Sequence, residues 1–389
     1  MASLLSALIA TSSVASSRTE KEGVLYITNP SVPAEGQRMM QTTELWRVGS
    51  LDSDILLGYV SKVIGDEDGN VYVLDGQMRH VLVLSAQGEL SASLSREGEG
   101  PGEIQRPVDL FQISDGVLGI VEGFPAQIVL INLEGVPLPS IFVGKDGSRG
   151  LGNLQEGKFR SGRLVLFGQS QEMHQDGLQI TEYLGKFSLD GTEEIRYLDK
   201  SYLNNLAAPS FNEMDRYFVN NGRWTLGPDG YVYTAPLFSE YEIHVFNDEG
   251  KLTRVIQRDF ESRPRSKKEL TALSKGPAMM VDGRRVSVKS TVEDRDPCVK
   301  SLRADENGAL WVLNSWGDRD QEPGVFITYD VFDSQGEFRK RVSLRMEGDP
   351  RTDLIFWVDD DHLAVVQIDS EDETSEEGAP LELIYYQIE

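Results

Sequence analysis

Histidine and cysteine, two residue types that often carry out catalysis, are scarce in this 389-residue chain, and the histidines are not spaced as metal ligands. It holds four histidines and one cysteine, Cys298. No two histidines have the short spacing that places a pair of zinc ligands on one helix or strand. The chain also lacks a Gly-x-Ser-x-Gly motif, in which a strained turn exposes a nucleophilic serine. Neither a histidine zinc site nor a serine hydrolase is therefore predicted.

A locally basic segment is the candidate binding surface. Residues 259–300 contain ten Lys or Arg and seven Asp or Glu, a local charge of +3 in a protein of net charge −25. Within it, residues 266–273 predict a short helix with a serine cap, followed by a Gly276-Pro277 stop. Long loops on a rigid scaffold often carry recognition residues. The candidate binding residues in and near this segment are Arg263, Arg265, Lys267, Lys268, Arg303 and Trp316. An equally open alternative is a tether that docks electrostatically on its own acidic protein.

A repeated pair of turn glycines predicts the elements that position these residues. In each unit a turn glycine precedes an apolar run, and a second turn glycine follows the next apolar run. The five pairs are Gly69 with Gly88, Gly116 with Gly135, Gly162 with Gly191, Gly230 with Gly250, and Gly308 with Gly336. Asp-Gly and Asn-Gly supply the positive φ that tight hairpin turns require. The repeat predicts an all-β fold, a β-propeller of four-stranded antiparallel blades.

The two ends of the chain predict how the blades form a ring. Residues 354–358, 362–366 and 383–386 supply only three strands of a sixth blade. Residues 44–48 would supply the fourth, and this pairing would remove two exposed sheet edges. We therefore expect a single six-bladed domain, residues 23–389, closed by N- and C-terminal strands. Residues 259–300 would be an insertion between blades four and five.

The connection after the first blade resembles that of a known family. The run SREGEGPGEIQRP at residues 95–107, preceded by GNVYVLD at residues 69–75, is similar to the NHL-type repeat and to the bacterial six-bladed β-propeller proteins related to it. The resemblance covers residues 44–389 and implies a propeller that is frequently exported. Relatives include ligand and RNA platforms, lactonases and an amidating lyase, so the resemblance implies shape and leaves activity open.

The lactonase relatives imply an alternative function. They hold one calcium ion in the central channel with oxygen ligands from several inner strands, and calcium tolerates such mixed ligands. The residues on or near predicted inner strands here are Glu156, Asn220, Asn221, Arg303 and Asp353, of which Glu156, Asn220 and Asp353 form the candidate metal set. The other interpretation is a hydrated polar channel without a metal. The acidic run at residues 369–377 lacks calcium-loop spacing and predicts a solvated hairpin tip.

Charge and the N-terminus restrict partners and location. A net charge of −25 opposes nucleic-acid phosphates. No apolar run reaches the roughly 20 residues that a membrane helix needs. Residues 4–10 resemble the apolar part of a signal peptide, and small residues follow at 13–17, although no Lys or Arg precedes Arg18. We expect residues 1–22 to be signal-peptide-like or disordered, and the protein to be secreted, periplasmic or on the cell envelope.

These observations favour a noncatalytic binding protein. The sequence provides a scaffold and a variable loop but no set of catalytic groups. We expect an exported monomer without a cofactor that binds a protein, peptide or glycan through one face, its channel or residues 259–300. A calcium-dependent hydrolase of the lactonase type, with the ion in the central channel, is the alternative.

Overall fold

β-strands form nearly all of the regular structure. A computed structural model describes residues 15–50, 54–114, 116–144, 152–205, 210–276, 278–281, 284–368 and 381–389. The apolar run at 4–10 and the acidic run at 369–377 lie outside these residues. Three strands precede the first glycine repeat: β1 (Ser17–Lys21), β2 (Val24–Asn29) and β3 (Gln37–Val48).

The first three repeats each form a four-stranded antiparallel sheet whose strands pair in chain order. Sheet 1 contains β4 (Val60–Gly65), β5 (Val71–Asp75), β6 (His80–Leu84) and β7 (Leu90–Leu94). Sheet 2 contains β8 (Pro107–Ser114), β9 (Val117–Glu122), β10 (Gln127–Asn132) and β11 (Pro137–Phe142). Sheet 3 contains β12 (Asn153–Arg160), β13 (Arg163–His174), β14 (Gly177–Phe187) and β15 (Glu193–Asn204).

The later strands follow the same antiparallel order. After β16 (Ser210–Asn212) and α1 (Glu213–Arg216), sheet 4 contains β17 (Trp224–Leu226), β18 (Val232–Thr234), β19 (Glu242–Phe246) and β20 (Leu252–Arg258). Residues 259–300 then contain α2 (Lys267–Leu273), β21 (Ala278–Val281), β22 (Arg284–Ser287) and β23 (Lys289–Thr291). Sheet 5 contains β24 (Val299–Ala304), β25 (Leu310–Asn314), β26 (Val325–Phe332) and β27 (Phe338–Arg345). Sheet 6 contains β28 (Leu354–Trp357), β29 (His362–Ile368) and β30 (Leu381–Ile388).

The N-terminal strands extend the last three sheets. β2 pairs parallel with β20 and antiparallel with β1. β3 joins sheets 5 and 6, because residues 37–41 pair parallel with β27 and residues 42–48 pair antiparallel with β30. The pairing predicted between residues 44–48 and the C-terminal strand is therefore present. β1 lies before the expected boundary at residue 23, and its pairing with β2 satisfies backbone groups of both strands.

Local sequence explains the hairpins. Gly69 and Gly88 have φ of +82° and +79°, a region that a side chain disfavours. The Asp66 carboxylate accepts hydrogen bonds from the backbone N–H groups of Asp68 (3.0 Å) and Asn70 (2.9 Å). The turn is thus closed by its own side chain, and the two strands leave it antiparallel.

Apolar side chains between neighbouring sheets form the core. Leu74 of sheet 1 packs with Leu110 and Ile120 of sheet 2, all fully buried. Corresponding clusters join sheets 2 and 3, 3 and 4, 4 and 5, and 5 and 6. A further cluster, which contains both Leu383 and Val63, joins sheet 6 to sheet 1. Each fully buried large aliphatic side chain stabilises the fold by about 1.5–3 kcal/mol relative to its exposed state.

The helix predicted at residues 266–273 is confirmed. Ser266 is the N-cap of α2, and its side chain and that of Glu269 satisfy each other's backbone N–H groups. β23 pairs parallel with β16, which attaches residues 259–300 to the segment between sheets 3 and 4.

Candidate functional site

The first strands of the sheets surround one cavity of about 650 Å³. β4, β8, β12, β17, β24 and β28 all contribute lining residues. Its charged lining residues are Lys62, Glu156, Lys158, Arg160, Arg303, Glu306 and Asp353. We call it the central cavity. Its volume lies in the usual range of about 300–1,000 Å³ for small-ligand sites.

Lys62 is held in the cavity wall by a buried carboxylate. Its Nζ lies 3.2 Å from Oδ1 of Asp109, which is 3 % exposed. Asp109 also accepts the backbone N–H of Gly157 at 2.9 Å. Burial disfavours the ammonium, but the charges of Asp109 and Glu156 and the hydrogen bond to Asp109 outweigh it and raise the pKa of Lys62. Lys62 is therefore a cation in the cavity wall.

Glu156 has both carboxylate oxygens engaged. One oxygen bonds the Lys158 ammonium, and the other accepts Nε1–H of Trp224 at 2.8 Å. Lys158 also lies 4.1 Å above the centroid of the Trp224 ring. The carboxylate, ammonium and indole thus fix one another, as expected of a partly buried polar network.

Arg303 has donor capacity that the described protein leaves unused. Its Nη2 donates to the Asp360 carboxylate and, at 2.9 Å, to the carbonyl of Asp359. Its guanidinium lies 4.3 Å from the Trp357 ring centroid, and its side chain is 17 % exposed. Its Nη1 is buried and has no hydrogen-bond partner among the described residues. This nitrogen is therefore a donor that the described residues leave unsatisfied.

Arg160, in contrast, has both terminal nitrogens engaged at the same cavity. Its Nη1 donates to the carbonyls of Leu226 (3.2 Å) and Ala304 (3.1 Å). Its Nη2 donates to the carbonyl of Asp305 at 3.1 Å and pairs with Glu306 at 2.6 Å. Arg160 therefore ties strands of three sheets together.

Two of the arginines predicted to bind a partner are internal. The Arg265 side chain is 6 % exposed; it makes two 2.7 Å hydrogen bonds to Glu213 and one of 2.8 Å to Asp296. Arg263 is 10 % exposed and pairs with the carboxylates of Asp296, Glu269 and Asp320. These contacts agree with the tether interpretation of residues 259–300.

The remaining predicted binding residues lie apart. Lys267 and Lys268 begin α2, are exposed, and make no ion pair with any described residue. Trp316 is 41 % exposed and lines a second cleft, whereas Arg303 lines the central cavity. The six predicted binding residues thus lie in three places. Four lie in residues 259–300, Trp316 lies at the second cleft, and Arg303 lies at the central cavity.

The candidate metal ligands do not converge. Glu156 and Asp353 both line the central cavity, but Asn220 lines another pocket, where its side-chain oxygen accepts from Arg223. Asp353 accepts the backbone N–H of Asp349 at 2.8 Å and bonds the hydroxyl of Thr352. Asn221 is exposed, with φ of +54°.

No three His, Cys, Asp or Glu residues in the described ranges are placed to hold a metal ion. The Lys158 ammonium on Glu156 also opposes a second cation there. Two of the three candidate ligands of the calcium alternative, Glu156 and Asp353, line the same cavity.

Most of the cavity cations were not predicted from the sequence. Glu156, Lys158 and Arg160 alternate along β12, so their side chains point to the same face of the sheet. This alternation of charged residues within a predicted inner strand could have indicated that they share one face at the cavity. The pairing of Lys62 with Asp109 had no such signal, because the two residues lie on different sheets.

Membrane insertion through a helix has no support in the described part of the chain, where neither α-helix is long and apolar enough to span a bilayer.

Comparisons with known proteins concern the fold alone. No family model and no curated sequence matches the chain. Among solved structures, a candidate exported protein of Bacteroides fragilis is 11 % identical, with a TM-score of 0.52 over 94 % of this chain and 99 % of that one. A member of the DUF4221 family from Bacteroides vulgatus is 9 % identical, with a TM-score of 0.51 over 91 % and 99 %.

A calcium-binding protein, regucalcin from Agrobacterium tumefaciens, is more distant in shape. It is 13 % identical, with a TM-score of 0.44 over 90 % of this chain and 96 % of that one. The neighbours include β-propellers. The sheets of this chain, each packed against the next around one cavity, form an all-β, β-propeller fold of antiparallel strands.

Proposed function

We propose that this protein is an exported, noncatalytic, six-bladed β-propeller whose central cavity binds the carboxylates of an acidic peptide. Sheets 1 to 6 would be the blades, and the pairing of β3 with β30 would complete the sixth. The six apolar clusters between successive sheets, including the cluster between sheets 6 and 1, support this ring.

The observation that carries the binding proposal is the unsatisfied Nη1 of Arg303. A buried donor without a partner costs about 1–3 kcal/mol, so a ligand oxygen that satisfies it gains that free energy. A carboxylate is the preferred acceptor, because bonds between guanidinium and carboxylate are charge-assisted. Lys62 and Lys158 also line this cavity, each paired with a carboxylate of the protein, Asp109 and Glu156 respectively. Trp357 beside Arg303 offers an apolar surface to the rest of the ligand.

In this proposal residues 259–300 are a tether and not the recognition element. Arg263 and Arg265 already have carboxylate partners within the protein. An external acidic partner would first have to displace these internal bonds. Arg303 Nη1 has no partner among the described residues, so a ligand oxygen would displace no internal hydrogen bond from this nitrogen.

Titration with matched peptides tests the cavity. Tetraglutamate should quench tryptophan fluorescence saturably and bind more weakly as salt rises, whereas tetraglutamine should not bind. Loss of one charge-assisted hydrogen bond in Arg303→Gln should weaken tetraglutamate binding by about 10- to 100-fold. Arg303→Lys keeps the charge but not the forked donor. We expect its affinity for tetraglutamate to lie between those of the wild type and Arg303→Gln.

Arg96→Gln is the matched control. Arg96 is 81 % exposed and pairs with Glu103 on the connection between sheets 1 and 2, away from the cavity lining. Equal binding of the two peptides, or an unchanged affinity in Arg303→Gln at an unchanged melting temperature, would refute the proposal. Bound calcium with chelator-sensitive lactone hydrolysis would support the lactonase alternative instead.

Export is tested separately. N-terminal sequencing of the protein from its native host should show that about 15–20 residues have been removed. An intact Met1 in a cytosolic fraction would refute export while leaving the binding proposal standing.

A further inference from the structure

We propose that a second cleft, beside Trp316, binds a neutral saccharide. This cleft has a volume of about 440 Å³ and lies where the end of β20 meets β25, β26 and β27. The lining residues that matter here are Gln37, Arg258, Asp259, Trp316, Glu322 and Arg341. They are distinct from the residues of the central cavity, so this proposal does not depend on the peptide site.

Trp316 presents a fixed apolar surface at the rim. Its indole Nε1 donates to the carbonyl of Glu261 at 3.0 Å, and its backbone N–H donates to Oδ1 of Asn314 at 2.9 Å. The residue nevertheless remains 41 % exposed. Since the polar N–H already has an acceptor, a ligand ring stacked on the indole would leave no donor of Trp316 without a partner. An indole held in place and left open to solvent suits stacking against a ligand ring with little loss of entropy.

Two arginines provide donors around a buried carboxylate. Asp330 is fully buried and accepts from Arg258 (2.7 Å), Asn314 (2.7 Å) and Arg341 (3.1 Å). Arg341 uses only its Nε in this bond, and its side chain is 31 % exposed. Its Nη groups bond no acceptor among the described residues, so they are available to a ligand oxygen.

Arg258 adds a donor that the protein leaves unsatisfied. Its side chain is only 3 % exposed, and its guanidinium lies 4.8 Å from the ring centroids of Tyr241, Phe260 and Phe338. Its Nε is buried and has no partner in the described parts of the chain. A buried donor of this kind at a cleft indicates that an acceptor belongs there.

The charges around the cleft exclude strongly charged ligands. Carboxylates of Asp259, Glu261, Asp320 and Glu322 line it and would repel an anion. Arg258 and Arg341 would in turn repel a cation that reached the floor. Asp259 and Glu322 are exposed, and their carboxylates have no hydrogen bond to any described residue. They remain available as acceptors at the rim.

A neutral polyhydroxyl ring uses all of these groups together. Each hydroxyl is both donor and acceptor, so it can donate to Asp259 or Glu322 and accept from Arg341. The C–H face of the same ring can pack on the Trp316 indole. Neither a carboxylate-bearing nor an ammonium-bearing ligand matches this mixture, and we therefore assign the cleft to a neutral mono- or disaccharide.

Calorimetric titration of the full chain tests the assignment. The probes are four neutral disaccharides (maltose, cellobiose, lactose and diacetylchitobiose) and two charged sugars (galacturonate and glucosamine). At least one neutral disaccharide should bind with Kd of about 1 mM or below, and more tightly than either charged sugar. Trp316→Ala should weaken this binding at least about tenfold, as removal of an aromatic anchor does. Glu322→Gln should weaken it by a smaller factor.

The matched control is Tyr59→Ala, which removes a 56 % exposed aromatic side chain outside this cleft and should leave saccharide binding unchanged. Absence of binding by all four neutral disaccharides, tighter binding of a charged sugar, or unchanged affinity in Trp316→Ala would overturn the assignment. Arg303→Gln should leave saccharide binding unaffected, so failure here is distinguishable from failure of the peptide site.

Discussion

Replacing Arg265 by methionine tests whether residues 259–300 are anchored by their own ion pairs. The Arg265 side chain is 6 % exposed and bonds Glu213 and Asp296. Methionine keeps much of the length and apolar contact but removes the charge. Glu213, the first residue of α1, and Asp296 would then lose their common partner.

The magnitude follows from the burial of the two acids. Removal of one partner from a buried ion pair costs about 3–5 kcal/mol when the remaining charge stays buried. The side chains of Glu213 and Asp296 are 19 % and 12 % exposed, so water can partly solvate the charges left behind. We therefore expect a loss of about 2–3 kcal/mol from the free energy that holds the segment down.

Limited proteolysis with thermolysin measures this free energy locally. Leu273 of α2 is 44 % exposed and becomes a cleavage site when the segment opens. If opening and closing are fast, the cleavage rate follows the open population, and a loss of about 2–3 kcal/mol raises it by about 30- to 150-fold. Lys267→Met is the control, because Lys267 is exposed and makes no ion pair with a described residue. A wild-type cleavage rate in Arg265→Met would refute the tether interpretation.

Two further outcomes follow from the same contacts. Hydrogen bonds from the Arg263 guanidinium and from Ser266 lower the pKa of Glu269 to about 2. Because the folded-state pKa lies below the unfolded value, the stabilisation is complete above about pH 5 and is lost as the pH falls towards 2. The difference in melting temperature between wild type and Glu269→Gln should therefore shrink from about pH 6 to pH 3, and a constant difference would contradict this. Deletion of residues 381–389 removes β30 and leaves β3 and β29 without their shared partner. We expect aggregation through these exposed edges, measured by light scattering, and a soluble, cooperatively folding truncation would contradict the pairing model.

The strands and their turns could be predicted because their signals are local. A glycine with positive φ closes a hairpin within four residues, as at Gly69 and Gly88. Alternating apolar runs then fix which face of each strand is buried. The same reasoning located the helix at residues 266–273 from its serine cap. The unmatched strand of the last sheet also pointed to residues 44–48 as its partner.

The sequence was less informative about the N-terminal segment. β1 and β2 continue sheet 4, and the first part of β3 continues sheet 5 in parallel. Parallel pairing leaves no hairpin signal, because the paired strands lie hundreds of residues apart along the chain. Only the tertiary structure could show that this segment follows the outer strands of three sheets.

The candidate sites depended most on tertiary structure. In the sequence, Arg263 and Arg265 are free charges in a basic segment, but their partners Asp320 and Glu213 lie 57 and 52 residues away. In the sequence, Arg303 is one charge among several near a predicted inner strand. In the structure its Nη2 is hydrogen-bonded, and its Nη1 is buried without a partner among the described residues. Composition thus determined a strongly acidic β protein, and the glycine repeat determined its strands. Which cations face inward, and which remain available to a ligand, was decided by packing between sheets, because ion pairing depends on distances in space that sequence separation does not encode.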